Sequence, residues 1–215
     1  MHVENEYGCS DIRTRIITIA DLNPDFTVED GCVGESMSFF NASTPEGLIV
    51  LDSYDWNFGD GSTSLLEDPT HTYVGDGPFD VEFIVSSPSG CKDTIVKSIA
   101  PNPLPDVDFQ ALFDGVVGTV GCIYEPVSFE DLTTIALPSE IVSWSWDFGD
   151  GGTFDGIDPT HEYATSETYT VTLTLTSSFG CVGTGTLDIT MTDGMYAVSP
   201  DTTICQNGTA TVYVN

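Results

Sequence analysis

Apolar and polar side chains alternate one for one through Tyr169-Thr170-Val171-Thr172-Leu173-Thr174-Leu175. A period of two puts every second side chain on the same face, so this stretch predicts a strand with one buried and one solvated side. Ser38-Phe39, Tyr54-Asp55-Trp56-Asn57-Phe58, Phe79-Asp80-Val81-Glu82-Phe83-Ile84-Val85 and Thr94-Ile95-Val96-Lys97-Ser98-Ile99 read as further short strands. Gly, Pro, Asp and Ser lie between them, residues whose backbone preferences set turns. No stretch of about ten residues follows the helical period, so the chain is expected to be all-β.

The strand pattern recurs at a single offset of 90 positions. Cys32 maps to Cys122, Phe39 to Phe129, Trp56-Asn57-Phe58-Gly59-Asp60-Gly61 to Trp146-Asp147-Phe148-Gly149-Asp150-Gly151, Asp68-Pro69-Thr70-His71 to Asp158-Pro159-Thr160-His161, Tyr73 to Tyr163, and Gly90-Cys91 to Gly180-Cys181. Tyr7-Gly8-Cys9-Ser10-Asp11 matches Ser89-Gly90-Cys91-Lys92-Asp93, and Cys205-Gln206-Asn207-Gly208 matches Cys32-Val33-Gly34-Glu35. The frame therefore predicts the tail of one repeat over 1–21, whole repeats over 22–100 and 101–193, and the head of another over 194–215. An insertion near Asp114 to Thr119 lengthens the start of the second whole repeat. About seven strands per repeat point to tandem immunoglobulin-like sandwiches. The connectors Asp21-Leu22-Asn23-Pro24 and Ala100-Pro101-Asn102-Pro103-Leu104-Pro105 are short and proline-bearing, which predicts an extended array rather than free joints.

Trp-x-Phe-Gly-Asp-Gly, followed by Asp-Pro-Thr-His-x-Tyr and then a Val/Thr-alternating strand, closely resembles the PKD domain, a β-sandwich module of extracellular proteins. The resemblance covers roughly residues 22–193. Cys32-Val33-Gly34-Glu35 before the second strand and Gly-Cys before the last resemble the PKD arrays in giant surface proteins of gliding, Bacteroidetes-type bacteria. That likeness implies a secreted, cell-surface stalk, filament or adhesin connected with gliding motility. PKD domains also accompany the catalytic domains of secreted hydrolases, so the alternative is a substrate- or glycan-binding accessory module.

The shared motif has a physical reading. Trp144, Trp146 and Phe148 share one face of a strand, as do Trp56 and Phe58, and are expected in the inter-sheet core; an exposed row would instead form a sugar platform. The Gly59-Asp60-Gly61 and Gly149-Asp150-Gly151 turns have glycines that tolerate positive φ and carboxylates that accept backbone N–H bonds. His71 and His161, each two residues before Tyr73 and Tyr163, invite a metal or catalytic role. One histidine per repeat, without a nucleophile or second ligand at fixed spacing, satisfies neither. The expected role is a hydrogen bond to a turn beside a tyrosine corner, and the chain is read as no enzyme.

The charge narrows the partners. Thirty-four Asp and Glu against four Lys and Arg give a net charge of -30, with 40% hydrophobic residues, enough to build a core. Arg13, Arg15, Lys92 and Lys97 are too few to neutralise a phosphate track or an anionic bilayer, and no run of 18 apolar residues exists. Neither a nucleic-acid partner nor membrane insertion is expected. The expected partners are neighbouring repeats of one long chain, with like filaments, surfaces or glycans beyond them, in an extracellular setting where salt screens the charge.

Some PKD relatives hold calcium through an Asp-rich loop between their second and third strands. The matching segments, Ala42-Ser43-Thr44-Pro45-Glu46-Gly47 and Ala136-Leu137-Pro138-Ser139-Glu140, carry one carboxylate each where calcium takes six to eight oxygens. Asp60, Asp68, Asp150, Asp155 and Asp158 remain as weak candidates, and no other cofactor is expected. Asn41-Ala42-Ser43 and Asn207-Gly208-Thr209 are N-glycan sequons. Asp93-Thr94-Ile95 and Asp201-Thr202-Thr203 look like the O-glycan acceptors of Bacteroidetes-type bacteria, which makes Thr94 and Thr202 the better candidates under that likeness.

Six cysteines without metal-binding spacing imply disulfides and an oxidising compartment. Pairing within a repeat would join Cys32 to Cys91 and Cys122 to Cys181. In an up-and-down sandwich, however, the first member of each pair falls at the far end of its domain and the second at the near end, whereas a disulfide needs Cα atoms within about 7 Å. Across the junction Cys32 faces Cys181, and topology favours that clasp. Under it, Cys9, Cys91, Cys122 and Cys205 find partners only in further repeats and stay unpaired here.

Overall fold

The computed structural model describes residues 2–4, 10–12 and 21–193. Every element among them is a strand. β1 (His2–Glu4) pairs antiparallel with β2 (Ser10–Ile12). The chain divides into two compact units: Met1–Asp30, Ser36–Tyr73 and Gly77–Ala100 form the first, and Gly31–Glu35, Val74–Asp76 and Pro101–Asn215 the second.

In the first unit β3 (Phe26–Val28), β4 (Ser36–Asn41) and β7 (Thr70–Thr72) form one sheet in the order β3-β4-β7. β5 (Ser53–Asn57), β6 (Thr63–Ser64), β8 (Phe79–Ser86) and β9 (Lys92–Ile99) form the other in the order β6-β5-β8-β9. Period two works as the pattern demands: Val81, Phe83 and Val85 of β8 are buried while the residues between them are not. They meet Phe26, Met37, Phe39, Trp56 and Phe58 in one core. Lys97 lies 4.8 Å above the Phe26 ring, pairs with Asp25 at 2.6 Å and donates to the Phe26 carbonyl. Its hydrogen bond is the main cause holding the Asp25 carboxyl below the usual range.

The second unit repeats this plan and adds to it. Its first sheet runs β11-β10-β13-β16, from β10 (Phe109–Phe113), β11 (Val116–Val117), β13 (Pro126–Asp131) and β16 (Thr160–Glu162). Its second runs β12-β18-β17-β14-β15, from β12 (Val120–Cys122), β14 (Ile141–Asp147), β15 (Thr153–Asp155), β17 (Thr168–Ser177) and β18 (Val182–Thr192). The insertion is a hairpin: Phe113 faces Val116 across Asp114-Gly115, both at positive φ (51° and 77°), as a tight two-residue turn requires. The chain then crosses to the other sheet, where β12 lies parallel to the end of β18. Tyr169, Val171, Leu173 and Leu175, the cleanest alternation in the sequence, are all buried from β17.

Trp144 departs from the expected row of three core aromatics. Trp146 and Phe148 are buried, but Trp144 is half-buried at the core margin. In the middle of β14, its indole N–H reaches the Asp131 carboxylate at 2.6 Å. An indole donor needs such a partner, and the edge of the core supplies one.

Candidate functional site

The repeated motif builds one side-chain cluster in each unit. Trp56 donates its indole N–H to the Leu66 carbonyl at 2.9 Å, and Trp146 donates to that of Gly156 at 3.0 Å. Two residues on, the chain turns. Asn57 and Asp147 accept the N–H of Gly59 and Gly149, while Asp60 and Asp150 accept those of Ser62 and Gly152. The second oxygen of each turn aspartate meets the Nε2 of His71 or His161 at 2.8 Å. Each imidazole stacks on the turn phenylalanine, at 4.2 Å on Phe58 and 4.1 Å on Phe148, and sets its plane against Tyr73 or Tyr163 at 88° or 85°. The tyrosine hydroxyls, both buried, donate to the carbonyls of Phe58 and Phe148.

This arrangement fastens a turn to a core. Burial, with the Asp60 or Asp150 carboxylate next, pushes both tyrosine phenols far above their usual range, so they remain donors. Tyr163→Phe leaves the Phe148 carbonyl without its partner and is expected to cost about 1–3 kcal/mol, read as a lower denaturation midpoint of the second unit. The turn glycines separate into two kinds. A Cβ on Gly149 (φ 81°) would sit 2.7 Å from the Thr170 carbonyl oxygen, whereas one on Gly151 (φ 93°) would meet open space. Gly149→Ala should therefore destabilise more than Gly151→Ala, which carries only the left-handed strain of roughly 1–2 kcal/mol. Equal melting temperatures for the two variants would contradict this close approach.

The His–Asp pairs give the clusters an acid limit. Burial raises the Asp60 and Asp150 carboxyls, but the hydrogen bonds from His71 and the Ser62 N–H, and from His161 and the Gly152 N–H, outweigh it and hold both below the usual carboxylate range. A depressed folded value stabilises above the unfolded value of about 3.9 and is lost as pH falls through the folded one. The melting temperature of the double variant Asp60→Asn/Asp150→Asn is expected to fall less steeply than the parent's as pH drops from about 5 towards 2.

The other candidate carboxylates do other work. Asp68 accepts the Asn41 N–H and Asp158 the Asp131 N–H, so both pin strand ends, and Asp155 is exposed on β15. Among the described residues no group of three or more His, Cys, Asp or Glu is arranged to hold a metal. Thr94 is exposed on β9. The Asn41 amide donates to Glu67 and its oxygen accepts the Ser43 N–H. Thr202 and Asn207 lie outside the described residues.

The structure bonds Cys32 to Cys181, 149 positions apart, with Cα atoms 5.7 Å from each other. The Gly31–Glu35 segment, from the first repeat in sequence, belongs to the second unit. Asn102 holds it, donating to the Gly31 carbonyl and accepting the Val33 N–H. Since Cys32 occupies Cys181, the alternative pairs Cys32 with Cys91 and Cys122 with Cys181 do not form. Cys91 carries a free, exposed thiol. Cys122, expected unpaired, is disulfide-bonded. Repeat position fixes where a thiol stands, whereas bonding follows whichever thiol comes within reach. Cys9 and Cys205 lie outside the described residues.

The PKD domain model matches residues 20–100 and 118–192, both units with their Trp, turn, His and Tyr clusters. The chain belongs to the PKD domain family. A microbial collagenase of Vibrio alginolyticus is 35% identical over 124 residues, 54% of this PKD chain and 15% of the collagenase. The pre-pro-metalloprotease PrtV of Vibrio cholerae is 37% identical over 106 residues, 47% of this chain and 11% of the protease. The crystal structure of the PKD1 domain from that metalloprotease is 30% identical, covering 41% of this chain and 96% of that one, with a TM-score of 0.34. The chain thus spans less than a fifth of these two curated relatives.

Sequence reasoning found the aromatics, the turns and the tyrosines of each cluster. It missed which residue the histidine would hold, although Asp60 and His71 stand 11 positions apart just as Asp150 and His161 do.

Proposed function

We propose that this chain is a non-catalytic, load-bearing segment of an extracellular, cell-surface stalk or adhesin filament built of tandem PKD domains, of the kind that serves gliding motility. The Cys32–Cys181 bond carries this reading, because it ties the chain of the first repeat to the second unit a second time, beyond the peptide linker. A disulfide also fits an oxidising, extracellular setting. In each unit the motif residues engage one another, which supports a structural and not a chemical role. Solution scattering of the full chain tests it: an elongated particle of one length in oxidising buffer is expected, with a broader distribution after reduction. Free rotation between the units under oxidising conditions overturns it.

The second reading, an accessory module that helps a secreted hydrolase engage substrate, is favoured by the collagenase and metalloprotease relatives. Measurable binding of the chain to fibrillar collagen or polysaccharide decides for it. On the stalk reading the charge of -30 is only solvated. NaCl and CaCl₂ at equal ionic strength are then expected to raise the melting temperature alike, and a rise at micromolar calcium saturating near one ion per unit would show a calcium site instead.

A further inference from the structure

The first unit presents, unbonded, the same turn that the second unit uses to hold a disulfide. In the second unit Ser177 donates its N–H to the Cys181 carbonyl and Gly180 donates to that of Ser177, both at 2.9 Å. In the first, Ser87 donates to the Cys91 carbonyl and Gly90 to that of Ser87, again both at 2.9 Å. Gly90 and Gly180 share the left-handed conformation, at 86° and 81°. The turns differ in their serine side chains and at sulfur: Ser177 Oγ accepts the Cys181 N–H, whereas Ser87 Oγ pairs with Ser89, whose hydroxyl donates to Cys91 Sγ at 3.7 Å. Cys181 is 1% exposed and bonded, whereas Cys91 is exposed and free.

What occupies Cys181 is a turn that closes on itself and is also held from outside by the Asn102 backbone. Gly31-Cys32-Val33-Gly34-Glu35 closes on itself, the Glu35 N–H donating to the Cys32 carbonyl and the Cys32 N–H to the Glu35 carboxylate. Gly34 takes φ 84° at its bend. Such a turn can be presented by any repeat that carries it.

We propose that the Ser87–Cys91 turn of the first unit is the docking site for the Gly-Cys-Val-Gly-Glu turn of another PKD repeat of this kind, closed by a disulfide from Cys91. The inference rests on the tandem-array reading and deepens it, by making each unit an acceptor of a clasp through its last turn. The bond forms by thiol–disulfide exchange with a disulfide oxidant. Cys91 loses its proton, the thiolate attacks the partner sulfur of a mixed disulfide, the new S–S bond forms, and the oxidant's thiolate leaves with the electron pair of the broken bond.

A synthetic peptide of residues 29–36, activated at its cysteine as the thionitrobenzoate mixed disulfide, tests the site on the full chain. Release of thionitrobenzoate gives the rate, and mass mapping gives the thiol modified. Attachment at Cys91 is expected about tenfold faster than for a peptide of the same composition in scrambled order, the factor that about 1.4 kcal/mol of recognition supplies. Cys91→Ser is expected to abolish that preference. Equal rates for the two peptides, or a preference that survives Cys91→Ser, overturn the docking site. Scattering of the full chain is unaffected by this result. An elongated particle with equal peptide rates removes the Cys91 clasp and leaves the stalk, whereas peptide preference in a freely jointed particle does the reverse.

Discussion

Trp146→Ala is expected to unfold the second unit while the first stays folded. Trp146 is 1% exposed and meets Phe109 edge-on at 5.0 Å and Phe129 at 5.6 Å. Truncating a buried tryptophan costs roughly 3–5 kcal/mol, and here it also strips the Gly156 carbonyl of its indole donor. Against a domain stability of about 5–15 kcal/mol this is a large share, and the whole of it at the lower end. Chemical denaturation followed by fluorescence should show one transition moved to low denaturant and a second, from the unit holding Trp56, in place. A small loss accompanied by loss of sugar binding would instead make Trp146 part of an exposed platform.

Removing the long-range disulfide ranks next. The Cys32–Cys181 bond closes a loop of 149 positions. On the chain-entropy model a loop of that size restricts the unfolded chain by about 5 kcal/mol. Cys181→Ser should lower the melting temperature of the oxidised protein towards that of the reduced parent. A protease site placed between Pro101 and Pro105 gives a sharper reading: after cleavage the two fragments should run as one band without reductant and as two with it. Two bands under both conditions would place the bond inside each repeat.

How far the fold was legible depends on how local each signal is. Strict alternation from Tyr169 to Leu175 determines its strand face without reference to any other segment, and those four apolar side chains are buried. Asp114-Gly115 carries the composition of a two-residue hairpin turn, yet the sequence reading placed only an insertion there. The turn becomes evident once Phe113 and Val116 are known to pair. Trp144 shows the limit of periodicity. It shares a face with Trp146, but the depth of the core at that point, and the Asp131 carboxylate beside it, decide that it stays half-buried.

By itself the sequence determined the all-β class, the tandem repeat and the buried aromatic face, because each follows from side-chain period or repetition along the chain. Only the tertiary structure decided which groups meet. It paired Asp60 with His71 and Asp150 with His161, assigned Gly31–Glu35 to the second unit, and left Cys91 free while Cys122 is bonded. The reason is physical: a hydrogen bond or a disulfide depends on distances of a few ångströms between segments far apart in sequence, and those distances are set by how the sheets pack.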